Sequence, residues 1–505
     1  MSKKIPQDLR EWIQMLRKAG ELVEVTTEVD PYLEITEITD RVTKAGGPAL
    51  LFTNVKGSTM PVLINQFGSD KRLAMAFGVD KIDEVGDRIA DLLELQPPAG
   101  MMDKLKTLGK LKTLAASPPK TVRSGSCQDV VLTGDDATLD MLPILTCWPM
   151  DAGPYITLPL VFTRDPKTGQ RNCGMYRIQK FDAQTTGMHW QIHKDAAEDW
   201  RGMGDTLDVA VALGTDPITT YTATAPLPKH LDEMMMAGFL RGNSVDLVAC
   251  KTVNLEVPAS SEIVIEGFIK KGELATEGPF GDHTGYYSLA DEYPVFHITA
   301  ITHRKDPIYA TTVVGIPPME DCWLGKATER IFLPLVKTTI PEIVDYNLPW
   351  EGVFHGCAIV SIKKRFPGHA KKIMHAIWGT GLLSLTKSVI VVDEHVDVHD
   401  YSQVAFRAFA NVDPARDVLL SEGPLDVLDH APNIMGLGGK LGIDATNKWT
   451  SEGYAREWPP DIAMSDDVRD TVTRRWAEYG IGTPLAVSPS DAAITHEPEH
   501  TPASV

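Results

Sequence analysis

The stretch Thr157–Phe181 reads TLPLVFTRDPKTGQRNCGMYRIQKF. Two runs rich in apolar and aromatic residues, Thr157–Thr163 and Gly174–Phe181, flank the sequence DPKTG at Asp165–Gly169. Asp, Pro and Gly favour a tight turn, and runs of this length on either side of a turn are typical of strands. The stretch therefore predicts two antiparallel strands joined by a turn.

Strand patterns continue outward from this pair. The runs Glu262–Ile269 and Val295–Arg304 have the same character, and turn residues separate short runs from about Met141 to Thr312. A Met- and Leu-rich helix is predicted between them at Asp232–Gly242. Successive strands joined by tight turns indicate an antiparallel meander or barrel in the centre of the chain.

On both sides of this central segment the pattern of apolar residues differs from that of successive strands. Apolar residues recur at helical spacing from Leu9 to Leu16, and the pattern ends at Gly20. After about Pro317 a strand, a helix, a strand and a helix are predicted in turn, at residues 356–362, 367–379, 387–393 and 400–410. This alternation predicts a second, α/β domain at the carboxyl-terminal side.

The charge balance limits the classes of function. The chain has 505 residues, 49 of them basic and 68 acidic, which gives a net charge of −19. Such a surface repels phosphate backbones and anionic lipid, so we expect no nucleic-acid partner. One basic stretch, Lys104–Lys120, follows the pair Pro97–Pro98 and ends with the pair Pro118–Pro119 before its last lysine; it is interpreted as a surface helix or linker, with a docking patch as the alternative.

Cysteine usage and hydropathy indicate the compartment. The 6 cysteines are scattered without a CxxC pair, which is typical of a reducing cytosol. The amino terminus lacks a signal-peptide pattern, and no apolar run approaches the ~20 residues that a membrane span needs. We therefore predict a cytoplasmic protein without a transmembrane segment, with peripheral association at the inner membrane face as an alternative.

Common catalytic motifs are missing or incomplete. GLGGKLG at Gly436–Gly442 lacks the ending of a phosphate-binding loop, and its third glycine is one place late for a dinucleotide fingerprint. We interpret it as a structural glycine turn. Neither GxSxG nor HExxH occurs, so the sequence gives no support to a serine hydrolase or a zincin.

Three stretches combine polar residues with glycine more than core packing requires. They are Asn172–Gln179 with the nearby Gly187–Lys194, the single residue Glu233, and Thr276–Tyr287, which reads TEGPFGDHTGYY. On the last, Glu277 and Asp282 flank a Gly-Pro-Phe-Gly turn. A glycine-rich loop lets both carboxylates face one cavity, whereas a regular strand sends residues five apart to opposite sides. A solvated acidic loop is the equally weighted alternative.

From about Asp8 to Trp458 the chain resembles the UbiD family of decarboxylases, and within it the 4-hydroxy-3-polyprenylbenzoate decarboxylases. The motifs that carry this resemblance are VDPYLEITEI, AGGPALLF, LTCWPMDAGPYIT, NCGMYR, LEVPASSEIVIEG, EGPFGDHTGYY, DPARD and LGIDATNKW. The resemblance implies an α+β and α/β multidomain fold. Its parts would be an N-terminal α/β segment (1–115), a split β-barrel flavin-binding domain (116–320), a C-terminal α/β oligomerisation domain (321–480) and a disordered tail (481–505).

The resemblance also implies prenylated FMN with a divalent metal, Mn2+ or Mg2+, and allows K+ as a further ion. The implied metal ligands are Asn172, Glu233 and His193, with His189 as an alternative to His193. Oxygen and nitrogen ligands suit these metals and would not suit a soft one. The positions that match flavin-contacting segments of the family are Met175, Tyr176, Arg177, His189, Trp190, Gln191 and Lys194. Lys387 is a further candidate for the flavin phosphate, and a surface lysine at a strand end is its alternative.

In the family's reaction CO2 leaves an aryl carbon whose electrons the ring cannot delocalise, so a cofactor must accept them. The resemblance assigns Arg177 to the substrate carboxylate, with Glu277 as its partner between turnovers. Asp282 would deliver the replacing proton, and we expect burial beside Phe280 and Glu277 to raise its pKa.

The spacing of two of these residues makes a geometric prediction. Asn172 and Arg177 are five positions apart, so a straight strand would send their side chains to opposite faces. If both serve one site, the chain must bend near Cys173–Gly174, or Asn172 must precede the strand.

The shared motifs leave the substrate open. The leading prediction is decarboxylation of 4-hydroxy-3-polyprenylbenzoate to 2-polyprenylphenol in ubiquinone biosynthesis. A smaller hydroxybenzoate-type acid or a naphthoate precursor of menaquinone is the alternative within the family. A non-catalytic flavin-binding protein and a metal-dependent hydrolase are the alternatives from other classes. The implied partners are a flavin prenyltransferase of the UbiX type and further copies of the chain, as a homodimer or homohexamer.

Overall fold

The computed structural model describes residues 4–93, 117–190, 195–227 and 231–482. Contacts divide the chain into two compact units, Met1–Leu335 and Val336–Val505. The division into segments 1–115, 116–320, 321–480 and 481–505 stays a prediction. Residues 104–116 of the basic stretch and residues 483–505 of the tail lie outside the described residues.

The described helices are numbered in chain order. They are α1 Leu9–Lys18, α2 Glu34–Lys44, α3 Asp70–Ala76, α4 Asp83–Leu93, α5 Asp195–Gly202, α6 Pro217–Thr222, α7 Glu233–Arg241, α8 Glu320–Thr339, α9 His369–Trp378, α10 Tyr401–Asn411, α11 Pro414–Asp417 and α12 Asp466–Arg475. Among the described residues, no helix has both the length and the apolar character needed to cross a bilayer.

The described strands are numbered in the same way. In the first unit they are β1 Leu22–Val25, β2 Ala49–Phe52, β3 Val62–Ile64, β4 Lys120–Val122, β5 Val130–Thr133, β6 Tyr155–Ile156, β7 Leu160–Arg164, β8 Arg171–Gly174, β9 Ile178–Lys180, β10 Thr185–Met188, β11 Thr206–Leu213, β12 Asp246–Ala249, β13 Glu256–Pro258, β14 Ile263–Glu277, β15 Phe280–Gly281, β16 Tyr287–Ser288, β17 Asp291–His303 and β18 Tyr309–Ala310. In the second unit they are β19 Ile343–Asn347, β20 Cys357–Ile362, β21 Ser388–Asp393, β22 Val418–Pro424 and β23 Leu437–Asp444.

The predicted antiparallel meander is a nine-stranded sheet. Its order is β6-β9-β10-β17-β14-β11-β7-β8, with β5 paired to β17, and every pairing in it is antiparallel. The prediction of antiparallel strands is confirmed. Pairing among the described residues runs from β6 to β8 without closing, so the split barrel stays a prediction.

The sheet is held by a core of alternating side chains. β11 and β14 pair along their whole common length, from Thr206 opposite Lys270 to Leu213 opposite Ile263. Val209, Val211 and Ile265 point into one buried cluster beneath the sheet. Burying a Val or Ile side chain contributes about 1.5–3 kcal/mol, so this pair of strands is a rigid base for the loops at its ends.

The prediction of one continuous strand over Gly174–Phe181 is wrong, because strand pairing is interrupted within this range. β8 ends at Gly174 and β9 begins at Ile178, while Met175, Tyr176 and Arg177 lie between them without strand pairing. The Met175 backbone N–H instead donates to the carbonyl of Ala223 at 2.9 Å. The interruption lies directly after Cys173–Gly174, where the spacing of Asn172 and Arg177 predicted a bend, and Asn172, Cys173 and Gly174 are still part of β8.

The amino-terminal prediction is confirmed in α1. Asp8 caps the helix by accepting from the backbone N–H of Glu11 at 2.8 Å, and acidic and basic residues lie in its first and last turns. Its apolar residues from Leu9 to Leu16 are buried. Nearby, β1, β2, β3 and β18 form a four-stranded sheet in that order.

The second unit is a five-stranded sheet of order β19-β20-β21-β23-β22. β20 and β21 are parallel and α9 connects them, which confirms the predicted strand–helix–strand unit. The predicted glycine turn at Gly436–Gly442 is wrong beyond its first residue. Gly436 has a φ of 74°, but Leu437–Asp444 is strand β23. Gly438 and Gly442 lie within it because Pro432 packs against the backbone of the first and Met374 against that of the second.

Candidate active site

Arg177 lies between two acidic side chains of the first unit. Its Nε and Nη2 donate to the two carboxylate oxygens of Glu277 at 2.8 and 2.9 Å, and its Nη1 donates to Oδ2 of Asp282 at 2.6 Å. The three side chains are 9%, 0% and 8% exposed. Buried charges persist only when each is paired and hydrogen-bonded. The structure thus brings together the three residues to which the sequence pointed.

Each of these three residues lies at the end of a strand or directly beside one. Arg177 immediately precedes β9, Glu277 is the last residue of β14, and Asp282 follows β15. The amide oxygen of Gln179 accepts from the backbone N–H of Gly278 at 2.8 Å and from the hydroxyl of Tyr155 at 3.0 Å. These bonds hold the start of the acidic loop (Thr276–Tyr287) against β9. They therefore fix the distance between this loop and Arg177, which directly precedes β9.

A second set of bonds holds the middle of the loop. One oxygen of Asp151 accepts from the backbone N–H of Gly281 at 2.7 Å, and the other accepts from that of Trp148 at 2.9 Å. The absence of a side chain at Gly281 is necessary, because a Cβ there would lie 2.1 Å from the Trp148 ring. Burial raises the pKa of Asp151.

An aromatic surface lies under the arginine. The guanidinium carbon of Arg177 is 4.7 Å from the ring centre of Phe280, which in turn packs on Tyr155 with 4.5 Å between ring centres. An arginine over an aromatic face is attracted to its ring electrons. The stacking leaves the guanidinium edge free to meet acidic groups in its plane.

Glu277 is kept ionised by its neighbours. Burial alone would raise its pKa, but hydrogen bonds from His189 and Arg177 lower the pKa to about 2. The two-pronged contact matches the planar fork of the guanidinium to both carboxylate oxygens. Glu277 is therefore a fixed negative charge at neutral pH.

The expectation of a raised pKa for Asp282 is wrong for this state of the site. Burial acts in the expected direction, but hydrogen bonds from His283 and the charge of Arg177 outweigh it and hold the pKa well below its usual range. The side chain accepts from the Nδ1 and the backbone N–H of His283, both at 2.8 Å. With Arg177 in contact, Asp282 is a carboxylate and holds no proton.

His189 is a fourth member of this cluster. Its Nδ1 lies 3.1 Å from Oε2 of Glu277, and its ring stacks on Tyr293 with 4.2 Å between ring centres. Burial and then the charge of Arg177 lower the pKa of His189, whereas Glu277 opposes them, and the net shift is downward. A neutral imidazole therefore donates its Nδ1 proton to the carboxylate.

The implied metal ligands are brought together in part. Glu233 opens α7, and its Oε2 accepts from the backbone N–H of Cys173 at 3.1 Å, next to Asn172 in β8. The Asn172 amide donates to the hydroxyl of Thr163 at 3.2 Å, so its carbonyl oxygen can turn to a cation. The oxygens of the buried Glu233 and the partly exposed Asn172 are hard donors that fit Mn2+ or Mg2+. His193 lies outside the described residues.

The positions matched to flavin contacts have different outcomes. Met175 and Tyr176 form the bend beside Arg177, and the indole N–H of Trp190 is buried without a hydrogen-bond partner among the described residues. An orphaned buried donor fits a site that a polar cofactor completes. Gln191 and Lys194 lie outside the described residues. Lys387 belongs to the second unit, where its ammonium pairs with Asp429 at 2.7 Å, and its role stays a prediction.

Reasoning from the sequence missed several residues of the cluster. It assigned no role to Gln179, Tyr155, Asp151, Tyr293 or His283, although they hold the acidic loop and its charges. Gln179, Asp151, Tyr155 and His283 lie inside stretches or motifs quoted above, but those patterns gave no indication of what each side chain contacts. Tyr293 lies outside them and joins the cluster only through the fold.

Sequence comparison identifies the family. The N-terminal, Rift-related and C-terminal domains of 3-octaprenyl-4-hydroxybenzoate carboxy-lyase match residues 13–89, 120–317 and 322–445. A protein of Archaeoglobus fulgidus described as uncharacterized is 54% identical over 94% of this chain and 98% of its own length. An uncharacterized protein of Aquifex aeolicus is 50% identical over 94% of this chain and 99% of its own.

Solved structures agree with this result. The vanillic acid decarboxylase of Sedimentibacter hydroxybenzoicus in its closed form is 30% identical, with a TM-score of 0.82 over 95% of this chain and all (100%) of its own. The UbiD-class enzyme HmfF of Pelotomaculum thermopropionicum in complex with FMN is 30% identical, with a TM-score of 0.75 over 90% of this chain and 97% of its own. An evolved dimeric form of HmfF was solved with prenylated FMN. The chain belongs to the UbiD family of carboxy-lyases.

Proposed function

We propose that this protein removes CO2 from an aromatic carboxylic acid without oxidation, using prenylated FMN and a divalent metal. The observation that carries the proposal is the buried Arg177 held between Glu277 and Asp282. A buried cation beside an acidic loop is suited to bind one carboxylate and to exchange its partners. A scaffold protein needs none of these three residues.

The chain's own residues divide the work. Glu277 occupies Nε and Nη2 of Arg177, whereas Asp282 occupies only Nη1. When a substrate carboxylate binds Nη1, Asp282 loses its contact with the guanidinium of Arg177. The pKa of Asp282 then rises, because the charge of Arg177 no longer opposes the effect of burial. Asp282 takes up a proton in this state and delivers it to the carbon that loses CO2. The balance is one acid anion and one proton in, and one arene and one CO2 out.

Bound prenylated FMN would supply the acceptor for the electrons of the breaking bond. The bend at Met175–Arg177 and the unpaired indole N–H of Trp190 are where this chain would contact it. Asn172, Glu233 and His193 would hold Mn2+ or Mg2+, and K+ is allowed as a second ion. The oxygens of Asn172 and Glu233 are the hard ligands that such ions prefer.

For the substrate we propose 4-hydroxy-3-polyprenylbenzoate, which would give 2-polyprenylphenol in ubiquinone biosynthesis. The match to the three domains of a 3-octaprenyl-4-hydroxybenzoate carboxy-lyase supports this choice. A smaller hydroxybenzoate-type acid is the second candidate, and the similarity to a vanillic acid decarboxylase favours it. A menaquinone naphthoate precursor completes the set to be tested.

The decisive experiment is a CO2-release assay of holoprotein produced together with a UbiX-type flavin prenyltransferase. The panel contains a short-chain 3-prenyl-4-hydroxybenzoate, vanillate, 4-hydroxybenzoate and a naphthoate. We expect a coloured protein that releases CO2 from at least one acid. A coloured protein that releases none from any acid contradicts the proposal, and an active one ranks the substrates by kcat/KM.

We further propose that the protein is a homodimer or homohexamer formed through its second unit. Several large apolar side chains of this unit are exposed, among them Phe406 (61%), Phe409 (88%) and Leu420 (75%). Exposed apolar groups of this size are typical of association surfaces. Light scattering should give a multiple of the 55.4 kDa chain mass, and a charged residue in place of Phe409 should reduce it.

A further inference from the structure

His283, the residue that follows Asp282, contacts one carboxylate oxygen of Asp282 through two of its atoms. The Nδ1 and the backbone N–H of His283 each lie 2.8 Å from Oδ1 of Asp282. The other oxygen, Oδ2, faces Nη1 of Arg177. Because a carboxylate only accepts hydrogen bonds, the proton of this imidazole lies on Nδ1 and points at Oδ1. His283 therefore contacts the proposed acid on the side away from the arginine.

The reaction proposed above needs such a contact. Every turnover consumes one proton, which must come from solvent and reach the buried Asp282. The side chain of Asp282 is 8% exposed and that of His283 is 20% exposed, so the imidazole is the more accessible of the two. Histidine is also the side chain whose ordinary pKa lies closest to neutrality, so it can both take and give a proton there.

A buried carboxylate acts on this histidine from a second element. Asp321 lies in the first turn of α8, and its Oδ1 is buried without a hydrogen-bond partner among the described residues. The loop and the segment before α8 are packed together, since a Cβ at Gly285 would lie 3.0 Å from the side chain of Ile316. Burial raises the pKa of Asp321 to about 6, against the opposing charge of His283. Above that pH its negative charge favours the imidazolium form of His283.

We propose that His283 is the proton-relay residue that reloads Asp282 between turnovers, and that Asp321 is the positioning charge behind it. This inference rests on the decarboxylase function proposed above and adds to it the route of the proton. It concerns residues outside the arginine–glutamate pair and outside the implied metal ligands.

The relay step is balanced. The imidazolium of His283 gives its Nδ1 proton to Oδ1 of Asp282, which leaves a neutral imidazole and a carboxylic acid. Asp282 passes this proton to the product carbon, and His283 regains one from water or a buffer acid. No oxidant, reductant or further reactant takes part.

The charged groups around the relay set its pH range. On its own loop His283 contacts Oδ1 of Asp282, whose other oxygen faces Arg177 from the segment before β9. From α8 the nearby acid is Asp321, and Glu320, next to it, adds a negative charge that acts on Asp321. Asp282 and Asp321 are thus the two acids around the relay.

The test compares holoenzyme variants His283→Gln and His283→Ala with His297→Gln as the matched control. His297 is 23% exposed and pairs with Glu273 through a ring nitrogen at 2.9 Å. We expect both His283 variants to bind cofactor and to keep the wild-type KM, while kcat falls by on the order of 10²-fold. The control should keep kcat within about threefold of wild type.

Chemical rescue distinguishes a proton-relay role of His283 from a purely structural one. Imidazole added to His283→Ala should restore kcat in proportion to its concentration, whereas pyrazole, which has the same shape but is hardly basic, should not. Full activity in His283→Gln, which keeps a hydrogen-bond donor but cannot relay a proton, overturns the proposal. Equal rescue by both rings overturns it as well.

A measurement on the protein without cofactor separates this inference from the function itself. Histidine side-chain NMR, assigned by the loss of one signal in His283→Gln, should show His283 titrating at lower pH in Asp321→Asn. An unchanged titration overturns the role of Asp321. If no acid is decarboxylated but this shift appears, the proposed function fails while the coupling of His283 to Asp321 stands.

Discussion

The Nε and Nη2 of Arg177 meet both carboxylate oxygens of Glu277 at 2.8 and 2.9 Å, and neither side chain is more than 9% exposed. The pair leaves one guanidinium nitrogen, Nη1, for a further acidic partner, and Asp282 occupies it at 2.6 Å. One buried arginine therefore meets Glu277 through two nitrogens and Asp282 through one.

Asp282→Asn should bind substrate with nearly unchanged KM but lose kcat by on the order of 10²-fold or more, because an amide cannot deliver the proton. Steady-state CO2 release from holoenzyme measures both constants. Asp140→Asn is the control, since Asp140 is an exposed carboxylate that pairs with Lys180. Near-normal turnover of Asp282→Asn would remove this residue from the mechanism.

Arg177→Lys should reduce kcat/KM by on the order of 10²-fold, although it keeps the charge. An ammonium cannot serve Glu277 with two parallel bonds and still offer a donor to the substrate. The exposed Arg41, which pairs with Glu37 on α2, provides the control Arg41→Lys. Equal kcat/KM values for the two variants would show that the fork geometry is unimportant.

The depressed pKa of Glu277 makes stability depend on pH. Its pKa falls from an ordinary 4.5 to about 2 in the folded protein, so its contribution is present above about pH 4.5 and is lost as the pH falls toward 2. Urea unfolding of wild type and Glu277→Gln should give a stability difference that shrinks between pH 4.5 and 3. A constant difference across this range would contradict the assignment.

Glu233→Gln should lower Mn2+ affinity by at least about tenfold, because the amide carries no charge and Asn172 supplies none either. Metal analysis after dialysis against graded chelator measures the affinity without any activity assay. Glu37→Gln is the control, since this exposed carboxylate pairs with Arg41 on α2. Equal metal content in both variants would rule out Glu233 as a ligand.

Gly187→Ala should destabilise the protein by about 1–3 kcal/mol, since the new Cβ would lie 2.6 Å from the ring of Phe181 and 3.3 Å from the side chain of Glu277. Gly204→Ala is the control, because a Cβ there would have no neighbour within 4 Å. Chemical unfolding of both variants measures the difference. Equal stability would show that this backbone can shift without disturbing Glu277.

The sequence predicts the secondary structure best where one periodicity governs a whole element. α1 follows from its apolar spacing and its cap at Asp8, and the parallel pair β20 and β21 follows from the alternation of strand and helix. The break between Gly174 and Ile178 could be expected only from the demand that Asn172 and Arg177 share a site. The strand at Leu437–Asp444 could not be predicted from the sequence, because glycines in isolation favour turns. In the fold, glycine is needed at Gly442 because Met374 packs against its backbone.

The site shows the same limit. The motif TEGPFGDHTGYY allowed Glu277 and Asp282 to converge on one cavity, with a solvated acidic loop as the equally weighted alternative, and the family resemblance favoured convergence. The direction of the Asp282 pKa could not follow from this motif, since it depends on which group faces each of its oxygens. His283 and Arg177 face them, and their contacts outweigh the burial that the sequence suggested.

The span Met175–Arg177, which belongs to neither strand, separates Asn172 in β8 from the start of β9. Its length sets how far along the chain the proposed cation ligand Asn172 lies from the arginine proposed to bind the acid. An inserted or deleted residue here would shift Asn172 against Arg177. Enzyme engineers who seek new acids should therefore leave the number of residues in this span unchanged.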